Sequence, residues 1–165
     1  MAADVILGMR GMDWAIAGAV AAAAGGGIGS SIGIAIAADV AGGVLAEDPD
    51  KFAGMLALTA LPGTQGIYGF ITGILVIVFF NLLSGGGPEL EAVNGVHIFL
   101  ACLPVMFNCG VSAVYQGKTS VAASGMVAKR GETGKALIFP ALVETYAVLS
   151  LITTILLLVS IRAGL

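Results

Sequence analysis

One carboxylate stands alone in the last apolar run of the chain. In Phe139-Pro140-Ala141-Leu142-Val143-Glu144-Thr145-Tyr146, Glu144 is the single charged residue between Leu137 and Arg162. An ionisable group at that depth of a hydrophobic segment costs roughly 2.5–3.5 kcal/mol on insertion scales. A chain that keeps one there usually uses it. Oxygen donors stand elsewhere at helical spacing. Leu61, Thr64, Gln65 and Tyr68 fall at i, i+3, i+4 and i+7, on one face of a helix. That face presents a hydroxyl, an amide oxygen and a phenol. Pro62 has no N–H, so the carbonyl of Leu58 loses its helical partner, and the resulting kink can turn nearby carbonyls, Leu61's included, toward a ligand. Gln116 lies about a dozen residues before a polar connection and Glu144 about nine after it, so an antiparallel hairpin brings them to comparable depth.

Thr64, Gln65, Gln116 and Glu144 can therefore meet around one small cation. Hard cations take oxygen ligands. With a single negative charge among the donors, Na⁺ fits better than a divalent ion. A loaded Glu144–Na⁺ pair is neutral overall, which lowers the cost of facing lipid. A proton needs only the carboxylate and a hydrogen-bond partner, so H⁺ is the alternative cargo. Two plainer readings stay open: Gln65 and Gln116 as glue between helices, and Glu144 as a structural carboxylate.

The elements that carry these residues are long and apolar. Four hydrophobic runs, Trp14–Ala46, Met55–Ser84, Gly95–Ala128 and Leu137–Ala163, each exceed the ~20 residues that span a bilayer. Only 10% of the 165 residues are charged, against roughly 25% in a soluble domain. A water-soluble globule is excluded on that ground, and no basic patch suggests nucleic acid. The predicted fold is an all-α membrane protein with four transmembrane helices in two tandem hairpins. Residues 1–84 form the first hairpin, 85–94 the extracytoplasmic connection, and 95–165 the second hairpin with the glutamate. Glu47-Asp48-Pro49-Asp50-Lys51, Gly85-Gly86-Gly87-Pro88-Glu89-Leu90-Glu91 and Lys129-Arg130-Gly131-Glu132-Thr133-Gly134-Lys135 break the helices. Lys51, Lys129, Arg130 and Lys135 lie in the first and third connections. The positive-inside rule puts these loops in the cytoplasm and both termini outside; Arg10 and Arg162 oppose it weakly. No typical signal peptide precedes the first helix, which is expected to be retained. Cys102 and Cys109 are seven residues apart on one predicted helix, about 10 Å along its axis, too far to bridge. Both are expected as buried free thiols.

An internal repeat underlies the two hairpins. Pro62 and Tyr68 match Pro140 and Tyr146 at the same spacing, and Gly66 stands where the second half has Glu144. Two hairpins thus share one membrane carboxylate. Gly25, Gly29 and Gly33 recur every fourth residue, a small-residue stripe that lets helix backbones approach closely. Gly66, Gly69 and Gly73 form another. Gly25-Gly26-Gly27-Ile28-Gly29-Ser30 is not a phosphate loop, because no P-loop lysine follows and no βαβ pattern surrounds it. Tyr146 is expected in core packing, Pro104 at a kink, His97 at the interface, and Lys118 snorkelling toward the headgroups. Asp39, read from the repeat as the counterpart of Gln116, has three readings: a protonated hydrogen-bonded acid, a partner of Lys118, or part of a second ion path.

Leu-Pro-Gly-Thr-Gln-Gly-Ile-Tyr-Gly-Phe at 61–70, Gln-Gly-Lys at 116–118 and Val-Glu-Thr-Tyr-Ala at 143–147 resemble the proteolipid of V-type and A-type ATPases. That proteolipid builds the rotor ring, and the likeness is greatest to its sodium-translocating bacterial members. It covers essentially the whole chain. It implies a ring of identical copies in the membrane of a prokaryotic cell. It implies Na⁺ held by the Leu61 carbonyl, Thr64, Gln65, Gln116 and Glu144, with Tyr68 hydrogen-bonded to the glutamate. It further implies a stator subunit with an arginine, a central-stalk subunit, and coupling to ATP hydrolysis or synthesis in a cytoplasmic head. This chain would bind no nucleotide and catalyse nothing itself. The alternative of another class is a non-motor proteolipid or pore, surrounded by lipid.

Overall fold

A computed structural model describes residues 5–83 and 90–165. The helices are α1 (Gly11–Glu47), α2 (Phe52–Ala60), α3 (Thr64–Phe79), α4 (Ala92–Arg130), α5 (Thr133–Ala136) and α6 (Ile138–Ala163). Short 3₁₀ turns at Pro49–Lys51 and Leu61–Gly63 flank α2. Four stretches are long and apolar enough to cross a bilayer: Gly11–Glu47, Pro49–Phe79, Ala92–Arg130 and Thr133–Ala163. The protein is an all-α, multi-pass membrane protein. At 37 residues, α1 is about 55 Å long, and it overhangs a hydrocarbon core of about 30 Å.

The second run is displaced from the expected Met55–Ser84. Its span begins at Pro49 and its helix stops at Phe79. Residues 80–83 form a turn in which Asn81 takes a left-handed φ of 54°, a conformation that ends a helix and that asparagine tolerates. Ser84 and the glycine-rich segment through Glu89 lie outside the described residues. α4 is continuous from Ala92 to Arg130 with Pro104 inside it.

Glycines decide how the long helices meet. α1 and α4 lie side by side and run in the same direction. A Cβ added at Gly25 would meet the backbone of Met106, one at Gly29 that of Gly110, and one at Gly33 that of Ala113. From the other side, Gly117 meets the backbone of Gly33. In lipid no hydrophobic force pushes helices together, so this close approach supplies the attraction. α3 runs antiparallel on another face of α1, with Gly26 against Gln65, Gly69 against Ala22 and Gly73 against Ala19. α6 packs antiparallel on α4, where Cys109 Sγ lies 3.8 Å from Ser150 Oγ. Cys102 and Cys109 are buried and free.

Two apolar clusters fill the interior. One gathers Ala15, Val76, Ile98, Val105 and Leu158 toward the termini. The other gathers Ala41, Met55, Leu58, Ala123 and Val127 near the hairpin loops. The buried side chains of Gln65 and Gln116 occupy the level between them.

Candidate ion-binding site

Two helix breaks and one unbroken helix build the site. The proline at position 62 cannot donate, and the chain tightens into the 3₁₀ turn Leu61–Gly63 before α3 begins. The Leu61 carbonyl accepts from the Thr64 backbone N–H and from Thr64 Oγ1 at 2.9 Å. It is thereby held beside the first polar residues of α3. In the second half the chain breaks at Leu137, between α5 and α6, and Pro140 falls in the first turn of α6. Gln116 approaches from α4 and donates Nε2 to the Pro140 carbonyl at 3.1 Å.

A continuous hydrogen-bonded chain crosses three helices. The single hydroxyl proton of Thr64, when not donated to Leu61, can go to Gln65 Oε1, 3.2 Å from Thr64 Oγ1. Gln65 Nε2 donates to Gln116 Oε1 at 2.6 Å. Gln116 Nε2 reaches Glu144 Oε2 at 3.4 Å, and Tyr68 Oη donates to Glu144 Oε1 at 2.8 Å. Both glutamines are fully buried, and Glu144 is half-buried. Each carboxylate oxygen thus has a donor from a different helix. That satisfies the acceptor without burying an opposite charge, and no lysine or arginine pairs with Glu144 among the described residues. The oxygens of Leu61, Thr64, Gln65, Gln116 and Glu144 follow one another along this chain. Such a set carries one formal charge among neutral dipoles, the donor chemistry of a monovalent cation.

Every residue singled out for the site is brought into this network. The structure adds one that sequence reasoning missed, and shows separately how the matching position of the first half is closed. The Pro140 carbonyl anchors Gln116, and the repeat with Pro62 was the available signal for it. Ser30 Oγ accepts the Gly66 backbone N–H at 2.7 Å, one of the donors left open at the start of α3. A Cβ at Gly66 would lie 3.1 Å from Ser30 Oγ. Where the second half has its glutamate, the first half is closed by α1.

Three expectations are corrected. Tyr146 is not in the core. It is 63% exposed; its phenol makes no hydrogen bond among the described residues, and its carbonyl accepts from Asn108 Nδ2 at 2.8 Å. Asp39 is not the counterpart of Gln116 in height. Gly33 touches both Ala113 and Gly117, so Gln116 is level with the neighbourhood of Gly33, and Asp39 lies further toward the hairpin loops. Nor does Asp39 pair with Lys118 within the chain. It is exposed and makes no ion pair or hydrogen bond among the described residues, while Lys118 Nζ sits 4.9 Å from the Tyr115 ring centroid.

A multi-pass membrane protein that holds one carboxylate among neutral oxygen donors, on paired hairpins packed through glycine, has the architecture of a proteolipid. Residues 17–76 and 99–157 match, in two successive copies, the family of the ATP synthase C subunit, and the chain belongs to that family. It is 37% identical over 123 residues to the V-type sodium ATPase subunit K of Enterococcus hirae, covering 74% of this chain and 75% of that protein. It is 40% identical over 123 residues to the A-type ATP synthase subunit K of Methanocaldococcus jannaschii, covering 74% of this chain and 51% of that longer protein.

Proposed function

We propose that the chain is a rotor-ring subunit of a rotary V/A-type ATPase that carries Na⁺ at Glu144. The observation that carries this reading is the linked set Tyr68–Glu144–Gln116–Gln65–Thr64. A proton carrier needs the carboxylate and one hydrogen-bond partner. Three further neutral oxygens stacked beside it, with the Leu61 carbonyl, suit a desolvated monovalent cation better. The sodium ATPase name of one relative supports the same cargo.

In this mechanism Leu61, Thr64, Gln65, Gln116 and Glu144 supply the oxygens, and Tyr68 orients the carboxylate. The bound cation cancels the charge of Glu144, so a loaded copy can pass through lipid. At the stator an arginine on another protein favours the empty carboxylate, and the ion leaves. Copies arranged in a ring turn this exchange into rotation, which a central stalk couples to a cytoplasmic head. In this reading the protein sits in a prokaryotic plasma membrane, and Lys51, Lys129, Arg130 and Lys135 support hairpin loops on the cytoplasmic side with both termini outside.

Reaction with a hydrophobic carbodiimide tests the proposal. Glu144 is expected to be the labelled residue, with labelling slowed by Na⁺ and the protection weakened at low pH. Labelling indifferent to Na⁺ would leave H⁺ as the cargo. No labelling at Glu144 would end the ion-carrier reading.

A further inference from the structure

Two charged side chains away from the ends of the spanning helices take no part in the site. Asp39 on α1 and Lys118 on α4 are both exposed, and neither is in an ion pair among the described residues. Charges at this level of a membrane protein are costly against lipid. Opposite charges left open on one surface therefore point to a partner beyond the chain.

Their surroundings identify that partner. On α1, Ile28, Ile32 and Asp39 lie on one exposed stripe. On α4, Phe107, Val111 and Lys118 repeat the same spacing of four and seven residues. The four apolar members are 62%, 45%, 60% and 56% exposed in that order. The two stripes are matched surfaces on parallel helices, one ending in an acid and the other in a base. Phe107 and Val111 also line an open apolar groove of about 570 Å³ formed along α4. The lysine is turned away from its own α1. Its ammonium rests over Tyr115, and Tyr115 is two residues from Gly117, hence roughly 200° around α4 from the contact with α1. Height also agrees. Since Gly33 touches Ala113 and Gly117, Asp39, six residues further on, is level with residues 119–123 of α4, within a lysine's reach of position 118.

We propose that Lys118 of one copy pairs with Asp39 of the next, where α1 of that copy seats on the exposed face of α4. The occupant is a second copy of this chain, argued from charge complementarity and from the α1–α4 packing already present inside one copy. The inference rests on the ring reading given above: a head-to-tail contact of this kind, repeated from copy to copy, closes into a ring. The result is a belt of alternating acid and base at one height, on the loop side of the ion sites.

Purified oligomers test it. Native mass spectrometry of the unmodified protein comes first; a monomer would overturn the ring reading and this contact with it. Given a ring, Asp39→Lys and Lys118→Asp are each expected to lower the temperature at which it dissociates in detergent. Co-expression of the two variants under different tags is expected to give mixed rings that recover the original temperature, because each junction again joins opposite charges. Rescue only when both changes are in one chain would show a pair within the copy and overturn the proposal. Should the reversed chains fail to accumulate, Asp39→Asn, Lys118→Gln and the double variant decide. Each single change lowers the temperature and the double lowers it no further; additive losses, or none, would overturn the contact while leaving the ring intact.

Discussion

Tyr68 and Glu144, 76 positions apart in the chain, are joined by a hydrogen bond of 2.8 Å from phenol to carboxylate. The bond ties α3 to α6, the last spans of the two hairpins. Its cost and its purpose coincide: the group most expensive to place in a membrane is held by a neutral donor that adds no charge. Replacing Tyr68 with phenylalanine removes that donor and little volume. Hydrogen bonds to charged groups contribute about 1.5–3 kcal/mol, so the Na⁺ concentration that protects Glu144 from carbodiimide should rise about tenfold or more. Ring recovery should be unchanged.

Gln65 and Gln116 act as one unit through the 2.6 Å hydrogen bond between their side-chain amides. Removing either leaves buried polar atoms of the other without a partner. In a cycle of Gln65→Ala, Gln116→Ala and the double variant, Na⁺ affinity should show a coupling of about 0.5–3 kcal/mol. Strict additivity would mean that the amides serve the site separately.

Gly29 and Gly33 should tolerate no side chain. Each faces α4 backbone, and Gly33→Leu must push the two longest helices apart. The unfolding temperature of the purified protein is expected to fall well below that of the parent. Gly125 is the control, since a Cβ there meets nothing within 4 Å. Gly125→Ala should leave stability unchanged or raise it by up to about 1 kcal/mol, through helix propensity.

Ser30→Ala should destabilise the first hairpin without touching the ion site. The Gly66 N–H loses the partner it has at 2.7 Å, and leaving this half-buried donor unsatisfied costs about 1 kcal/mol, the low end of the range for a buried group. Thermal stability should drop while the Na⁺ dependence of Glu144 labelling stays as in the parent. A large change in Na⁺ dependence would place Ser30 in the site instead.

Much of this protein is dictated by covalent order alone. The scarcity of charge over long runs requires spanning helices, because unpaired backbone groups are intolerable in lipid. Pro62 and Pro140 mark the helix breaks, since a missing N–H is a local property. Glu144, Gln116, Gln65, Thr64 and Tyr68 stand out because a polar side chain at that depth must find a partner, and the helical spacing places the first-half donors on one face. Periodicity within a helix does not say which face meets which neighbour. Only tertiary packing showed that Tyr146 turns outward while its repeat mate Tyr68 turns to the carboxylate. Only packing closed the Gly66 position with Ser30. The height of Asp39 was likewise set by the stagger of α1 on α4, a relation between two helices that glycine contacts determine and the repeat in one dimension does not carry.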